Sequence, residues 1–201
     1  MLNVNYAEAV CGMLYYYGII SLNELLEISY KSGLCTPDDY RICLDIISYN
    51  LIKRKKAYFS KDKLCHRLLK NKLVVEDMQE HLKISAYKIF TVDELIKAGA
   101  FDILITNEMR ELAIKLKRLC ALEPSDVENE VLRIWTELNN VSDLITLTEE
   151  CIDNLGLKIT KKDHRFLNVL NDINKLANNM PRWFCKGYSY NDHMSGERQL
   201  F

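Results

Sequence analysis

Nine basic side chains crowd into residues 51–72 of this 201-residue sequence: Lys53, Arg54, Lys55, Lys56, Lys61, Lys63, Arg67, Lys70 and Lys72. Asp62 is the one acid among them, so the stretch carries nine positive charges against one negative, a net +8. Clustered cations neutralise phosphates and release counterions, and aromatics such as Tyr58 and Phe59 can stack on bases or enter a groove. The same lysines would equally suit a solvated hairpin whose edge must resist aggregation. The segment ahead of the block, PDDYRICLDIISYN (37–50), argues against base reading. It holds three Asp and one Arg, and Asp38 and Asp39 at its start would repel phosphate where a recognition helix makes contact. If nucleic acid binds, contacts from the hairpin to the backbone should dominate, with little base readout.

The second cluster is NNMPRWFCKGYSYND, residues 178–192. Asn178 and Asn179 suit a helix end, and Pro181 stops the helix from continuing. Arg182, Trp183, Lys186, Gly187 and Tyr188 then form a short amphipathic loop, with Gly187 at a position that favours a left-handed backbone. Trp183 either folds back as an anchor of the helices or stands out as a docking residue for a protein partner.

Asn178, Asn179, Arg182, Trp183, Lys186, Gly187 and Tyr188 match a string found in a group of low-GC bacterial proteins, whose members often end in the Cys-rich zinc motif called SEC-C. The chain resembles that group most over 178–192, and more loosely at LYYYGIISLNELLE (14–27), which looks like its N-terminal helix-turn-helix start. Met180-Pro181 stands where Thr is usual, Tyr190 where Pro is usual, and Asp192 replaces Glu. The resemblance implies no activity. The Cys-rich tail is not present in this sequence, so no zinc site carries over.

Other chemistry is thinly represented. The seven Cys (11, 35, 43, 65, 120, 151, 185) form no CxxC pair and fall mostly where a helix wants an apolar residue, as reduced core thiols do. His66 adjoins Cys65, but neighbours along a strand or helix point apart, which disfavours a Cys–His nucleophile. Cys185 and His193 supply two ligands, short of a zinc set. No phosphate loop, HExxH or GxSxG occurs. The chain is therefore read as a non-enzymatic protein with no catalytic residues, no metal and no cofactor.

The elements that must position these clusters follow from periodicity and caps. Residues 6–17 predict a first helix ended by Gly18, with Tyr17 on its buried stripe. Tyr15 and Tyr16 spread around it, half-buried or at a dimer surface. Ser21 and Glu24 form a capping box for a second helix, closed by Gly33. Thr36 and Pro37 start a third, with Cys43, Ile46 and Ile47 inward. Residues 50–64 read as two strands around a polar turn, which gives the order of a winged helix-turn-helix. Further helices are expected over 75–83; from Thr91/Glu94 to Gly99; along Met109, Leu112, Ala113, Leu116, Leu119 and Cys120; and from a Ser125/Glu128 box along Val127 to Leu138. Two more follow, from Leu144 to Gly156 and from a Thr160 cap along Phe166 to Ala177.

Composition agrees with this order. Hydrophobic residues make up 48% of the sequence, Gly is present 7 times and Pro 3 times, which suits a helical globular protein. No apolar run reaches the ~20 residues of a membrane helix, and MLNVNYAEAV lacks the basic start of a signal peptide. Frequent Lys, Asn and Ile suggest an AT-rich bacterial or phage source.

The expected fold is mainly α: a winged helix-turn-helix-like module with a small β-hairpin at 1–72, a helical bundle at 73–180, and a loop or tail at 181–201. The expected function is binding or adaptor activity through protein–protein contact, as an accessory factor or inhibitor from a mobile element. The alternative is a nucleic-acid-binding regulator that uses the basic hairpin. The chain is expected to be cytoplasmic and to have a protein partner, with nucleic acid or a homodimer as further options, and no membrane.

Overall fold

The computed structural model describes residues 6–101, 103–120 and 123–198, and within them the chain is mainly helical with one small antiparallel sheet. Helix α1 (Tyr6–Tyr17) ends at Gly18, whose φ of 69° is left-handed. Strand β1 (Ile19–Ser21) leads directly into α2 (Leu22–Lys31). The Ser21 hydroxyl accepts from the Glu24 N–H and the Glu24 carboxylate accepts from the Ser21 N–H, which is the expected capping box. A 3-10 turn (Pro37–Asp39), α3 (Tyr40–Ile46) and a π-helical turn (Ile47–Ile52) follow. Strands β2 (Ala57–Ser60) and β3 (Lys63–His66) form a hairpin. Strand β3 lies between β2 and β1, pairing Ile19 with Cys65 and Tyr58 with Cys65 from opposite sides. Strand β1 is absent from the sequence reading because three residues are too few to show alternation.

Beyond the sheet come α4 (Lys72–His81), α5 (Val92–Gly99), α6 (Asn107–Lys117), α7 (Pro124–Asn139), α8 (Leu144–Asn154) and α9 (His164–Asn179). A 3-10 turn (Trp183–Cys185) and α10 (Tyr190–Arg198) complete the described chain. The Thr91/Glu94 box is present. Two expected caps are replaced. Helix α7 starts at Pro124 with Glu123 at its N-cap, because proline at the first helical position loses no hydrogen bond and presets φ. Helix α9 is capped by Asp163, whose carboxylate accepts from the Arg165 N–H at 2.9 Å. Thr160 lies one 3-10-like turn earlier, with its carbonyl bonded to the Asp163 N–H.

One continuous apolar cluster runs from Tyr6 to Cys185 and crosses the expected boundary near residues 72–90. Helices α1 and α5 make the closest crossing. A Cβ placed on Gly12 would sit 1.9 Å from the Leu95 carbonyl oxygen, and one on Gly99 would sit 1.7 Å from that of Glu8. The two backbones touch where only glycine leaves room. All three tyrosines of the triplet are buried: Tyr15 stacks on Trp135 at 5.1 Å and Tyr16 on Phe90 at 3.7 Å. Full burial corrects both expectations for Tyr15 and Tyr16, half-burial and a dimer surface, because α5 and α7 cover sides of α1 that periodicity alone leaves open.

Candidate functional site

The basic block divides into a paired part and an exposed part. Lys53, Arg54 and Lys55 are exposed and Lys56 is half-buried, but none lies in a strand. They form the turn between the π-helix and β2, with Lys55 in the left-handed region at φ 56°. The hairpin expected over 50–64 therefore begins seven residues later, since Leu51 is fully buried in the core as part of the π-helical turn. Lys61 is exposed at the hairpin tip, with φ 57°. Lys63 binds the Glu76 carboxylate at 2.6 Å and Lys72 lies 3.8 Å from the same group. Lys70 pairs with Glu137. Arg67 is exposed.

Beside this turn, the outer side of the 3-10 turn, α3 and the π-helix shows a different chemistry. Ile42 and Tyr49 are about half-exposed, at 51% and 58%; Tyr40, two positions before Ile42 and so on another side of the helix, is 49% exposed. Asp38, Arg41 and Asp45 are exposed near them, Asp39 is half-buried, and Lys53 lies over the Tyr49 ring at 4.9 Å. Asp39 is held below the ordinary aspartate range by hydrogen bonds from the Thr36 hydroxyl and N–H, so its charge is secure. Exposed aromatics with carboxylates offer contact area and acceptors, not phosphate neutralisation.

The tail motif is an interior structure. Trp183 is fully buried; its indole N–H donates to the Tyr15 carbonyl at 2.9 Å, and its ring meets Trp135 edge-on at 5.7 Å and His66 at 5.3 Å. Its backbone N–H donates to the Asn139 side chain and its carbonyl accepts from Gln79. Arg182 is equally enclosed, donating to the Ala177 carbonyl at 3.0 Å and the Leu138 carbonyl at 2.5 Å, with Phe184 packed on the guanidinium at 4.4 Å. The Ala177 carbonyl lies in the last turn of α9, where Pro181 has no N–H to offer, so Arg182 satisfies an acceptor that the helix end leaves open. The Leu138 carbonyl, in the last turn of α7, accepts from Arg182 in addition to the Val141 N–H. Burial pushes its pKa down to about 10. Gly187, at φ 88°, passes so near Tyr17 that a Cβ would meet that ring at 2.9 Å. The chain then turns back: the Arg182 N–H donates to the Tyr188 carbonyl, and Pro181 bridges Ser189. Asn179 donates to the Lys175 carbonyl and accepts from Asn191, while Asn178 reaches Asn174. Docking through Arg182 or Trp183 is thus corrected: both are sealed by α1, α4, α7 and α9, and no partner reaches them in this conformation.

Asn179 is exposed, and Asn178, Lys186 and Tyr188 are half-buried; Lys186 is the motif's cation that reaches a cleft. It helps line a cleft of about 390 Å³ with Glu24, Lys63, Glu76, Lys83 and Tyr87, and its ammonium lies over the Tyr87 ring at 5.1 Å. Lys63 and Lys186, from the two clusters that stand out in the sequence, meet here. Sequence reasoning missed the cleft because its walls come from four separated stretches. The charges it presents are mixed and one pair is already joined, so it carries neither a nucleophile nor a phosphate cradle.

Two of the buried thiols are placed where they are inert. Burial raises Cys151 and Cys185 to about 12, which leaves them protonated and unreactive. His66 accepts from the Leu68 N–H in the core. Among the described residues no group of three His, Cys, Asp or Glu could hold a metal ion, and no helix is long and apolar enough to cross a membrane. No protein-family model matches the chain, and comparison with curated proteins and with solved structures finds no significant similarity.

Proposed function

We propose that the chain is a non-enzymatic binding protein whose elements from α1 to β3 act as a winged-helix-like module, and that its partner is another protein. The observation that supports this most is the outer side of α3 and the π-helix. Where a DNA-reading helix would present several cations, this one presents Ile42 and Tyr49 with Asp38 and Asp45, and Arg41 is the one cation of residues 37–50. Such a surface fits an apolar patch bordered by basic side chains. A π-helical turn in this position is also of the kind found at functional sites. The resemblance of residues 178–192 to the low-GC bacterial group brings no activity with it, and an accessory factor from a mobile element remains the biological setting the composition favours.

The test is a paired substitution, Ile42→Asp with Tyr49→Ser. Both side chains are about half-exposed, so the melting temperature should hold. Capture of the protein partner from the source cell should be lost. Undiminished capture would remove this surface from consideration.

The alternative is nucleic-acid binding through Lys53, Arg54, Lys55 and Lys61, favoured by their shared exposure beside Phe59. It requires retention on mixed DNA or RNA that falls steeply with salt. Absence of retention on heparin at low salt would remove it.

A further inference from the structure

We propose that the groove between α6 and α7 is the face through which two copies of this chain associate about a two-fold axis. The groove holds about 300 Å³ and is lined by Ile105, Met109, Ala113, Ile114, Val131 and Leu132, with Arg110 on the α6 wall and Glu128 on the α7 wall. Ile114 is 54% exposed and Ile105 is 39% exposed. Helix α6 packs chiefly on α7 and α9, so this face is separate from the α3 surface.

The charges specify a second copy over other occupants. On the α9 side of α6 the charges are already neutralised within the chain, by Lys115 with Asp172 and Lys175 with Glu111. Arg110 donates to the neutral Asn107 side chain, and neither Arg110 nor Glu128 has an ion-pair partner among the described residues. One wall therefore keeps an unmatched cation and the other an unmatched anion. A two-fold axis running along the groove lays α6 of one copy on α7 of the other. Arg110 of each copy then faces Glu128 of the other, and the apolar strips meet between them. An isologous contact needs such self-complementarity, because each residue must meet its counterpart twice. Eight residues line the groove, fewer than the roughly 20–30 a side of a standard interface, so the dimer is concentration-dependent, not obligate.

Sedimentation equilibrium of the full chain tests this. The average mass should rise with concentration from 23.5 kDa toward twice that value. Ile114→Asp should leave the melting temperature unchanged and weaken association by at least about tenfold. Arg110→Glu and Glu128→Arg should each weaken it to a similar degree, and the two together should restore it. A monomer at every concentration, a dimer indifferent to Ile114→Asp, or a double reversal that stays monomeric would overturn the proposal. The last outcome separates a two-fold contact from simple apolar stickiness at the same groove.

Discussion

Arg182 and Trp183 on one side, and Lys53, Arg54 and Lys55 on the other, are charged or aromatic residues in short turns with a left-handed residue close by. The first pair is sealed between four helices, while the second group stands in solvent. The difference lies in what each turn finds around it. Arg182 meets carbonyls at two helix ends and an aromatic ring, so its charge is hydrogen-bonded and covered. The basic turn meets no facing element, and water solvates it. A distinctive cluster of side chains is thus no guide to exposure: the more function-like of the two, with its Trp and Arg, is the one the fold consumes.

Trp183→Ala is the sharpest way to break this comparison, since it removes the indole on which α1, α4 and α7 converge. A fully buried Trp replaced by Ala costs about 3–5 kcal/mol, and the Tyr15 carbonyl would also lose its donor. Thermal and urea melts should show a large drop; a parental melting temperature would mean that the tail is not part of the fold. Arg182→Lys comes next. One ammonium cannot reach both carbonyls while lying flat on Phe184. The Leu138 carbonyl keeps the Val141 N–H, but the Ala177 carbonyl finds no helical N–H at Pro181, and a buried acceptor left open costs about 1–3 kcal/mol. A loss below ~1 kcal/mol would show that water replaces the guanidinium.

Gly99→Ala should rank beside it at about 1–3 kcal/mol or more, because the new methyl would strike the Glu8 carbonyl, which is backbone and cannot rotate away. This crossing was illegible in the sequence: a glycine at a helix end reads as a terminator, and Gly99 is also that. What could be read in advance were the features that one segment specifies by itself. The capping boxes at Ser21/Glu24 and Thr91/Glu94 and the stripes of α7 and α9 needed no knowledge of neighbours. Strand β1, the burial of Tyr15 and Tyr16, the cleft at Lys63 and Lys186 and the α6/α7 groove needed the fold. The basic turn was found in the sequence but assigned to strands, because Leu51 and Ile52 suit a strand as well as a helix and the choice is tertiary.

Acid should affect the caps before the buried tail. Hydrogen bonds from the Arg165 guanidinium and N–H hold the half-buried Asp163 carboxyl at about 2, below its ordinary 3.8. Its folded pKa is the lower one, so its contribution is fully present above pH 3.8 and is lost as the pH falls through about 2. Asp163→Asn should flatten that part of the stability profile while leaving the neutral-pH signature of the Trp183 core intact. An unchanged acid slope would show that the cap is immaterial to α9.

The smallest expected effect on stability belongs to the other side of the comparison. Lys53, Arg54, Lys55 and Lys56 replaced together by Glu change four charges without removing any contact of the core. Lys53 loses only its position over Tyr49, and Lys56 is no more than half-buried. Exposed substitutions fall within about ±0.5 kcal/mol, so the melt should stay near the parent's, in contrast to Trp183→Ala. If the turn touches nucleic acid, affinity should fall for all sequences alike and the salt slope should become shallower, since phosphate contacts are lost without loss of base readout. If the α3 surface alone serves a protein partner, its capture should instead survive the reversal, because Tyr40, Ile42 and Tyr49 are untouched. A large fall in melting temperature would contradict both readings: it would show that the turn, like the tail, is held by the fold and is not a surface at all.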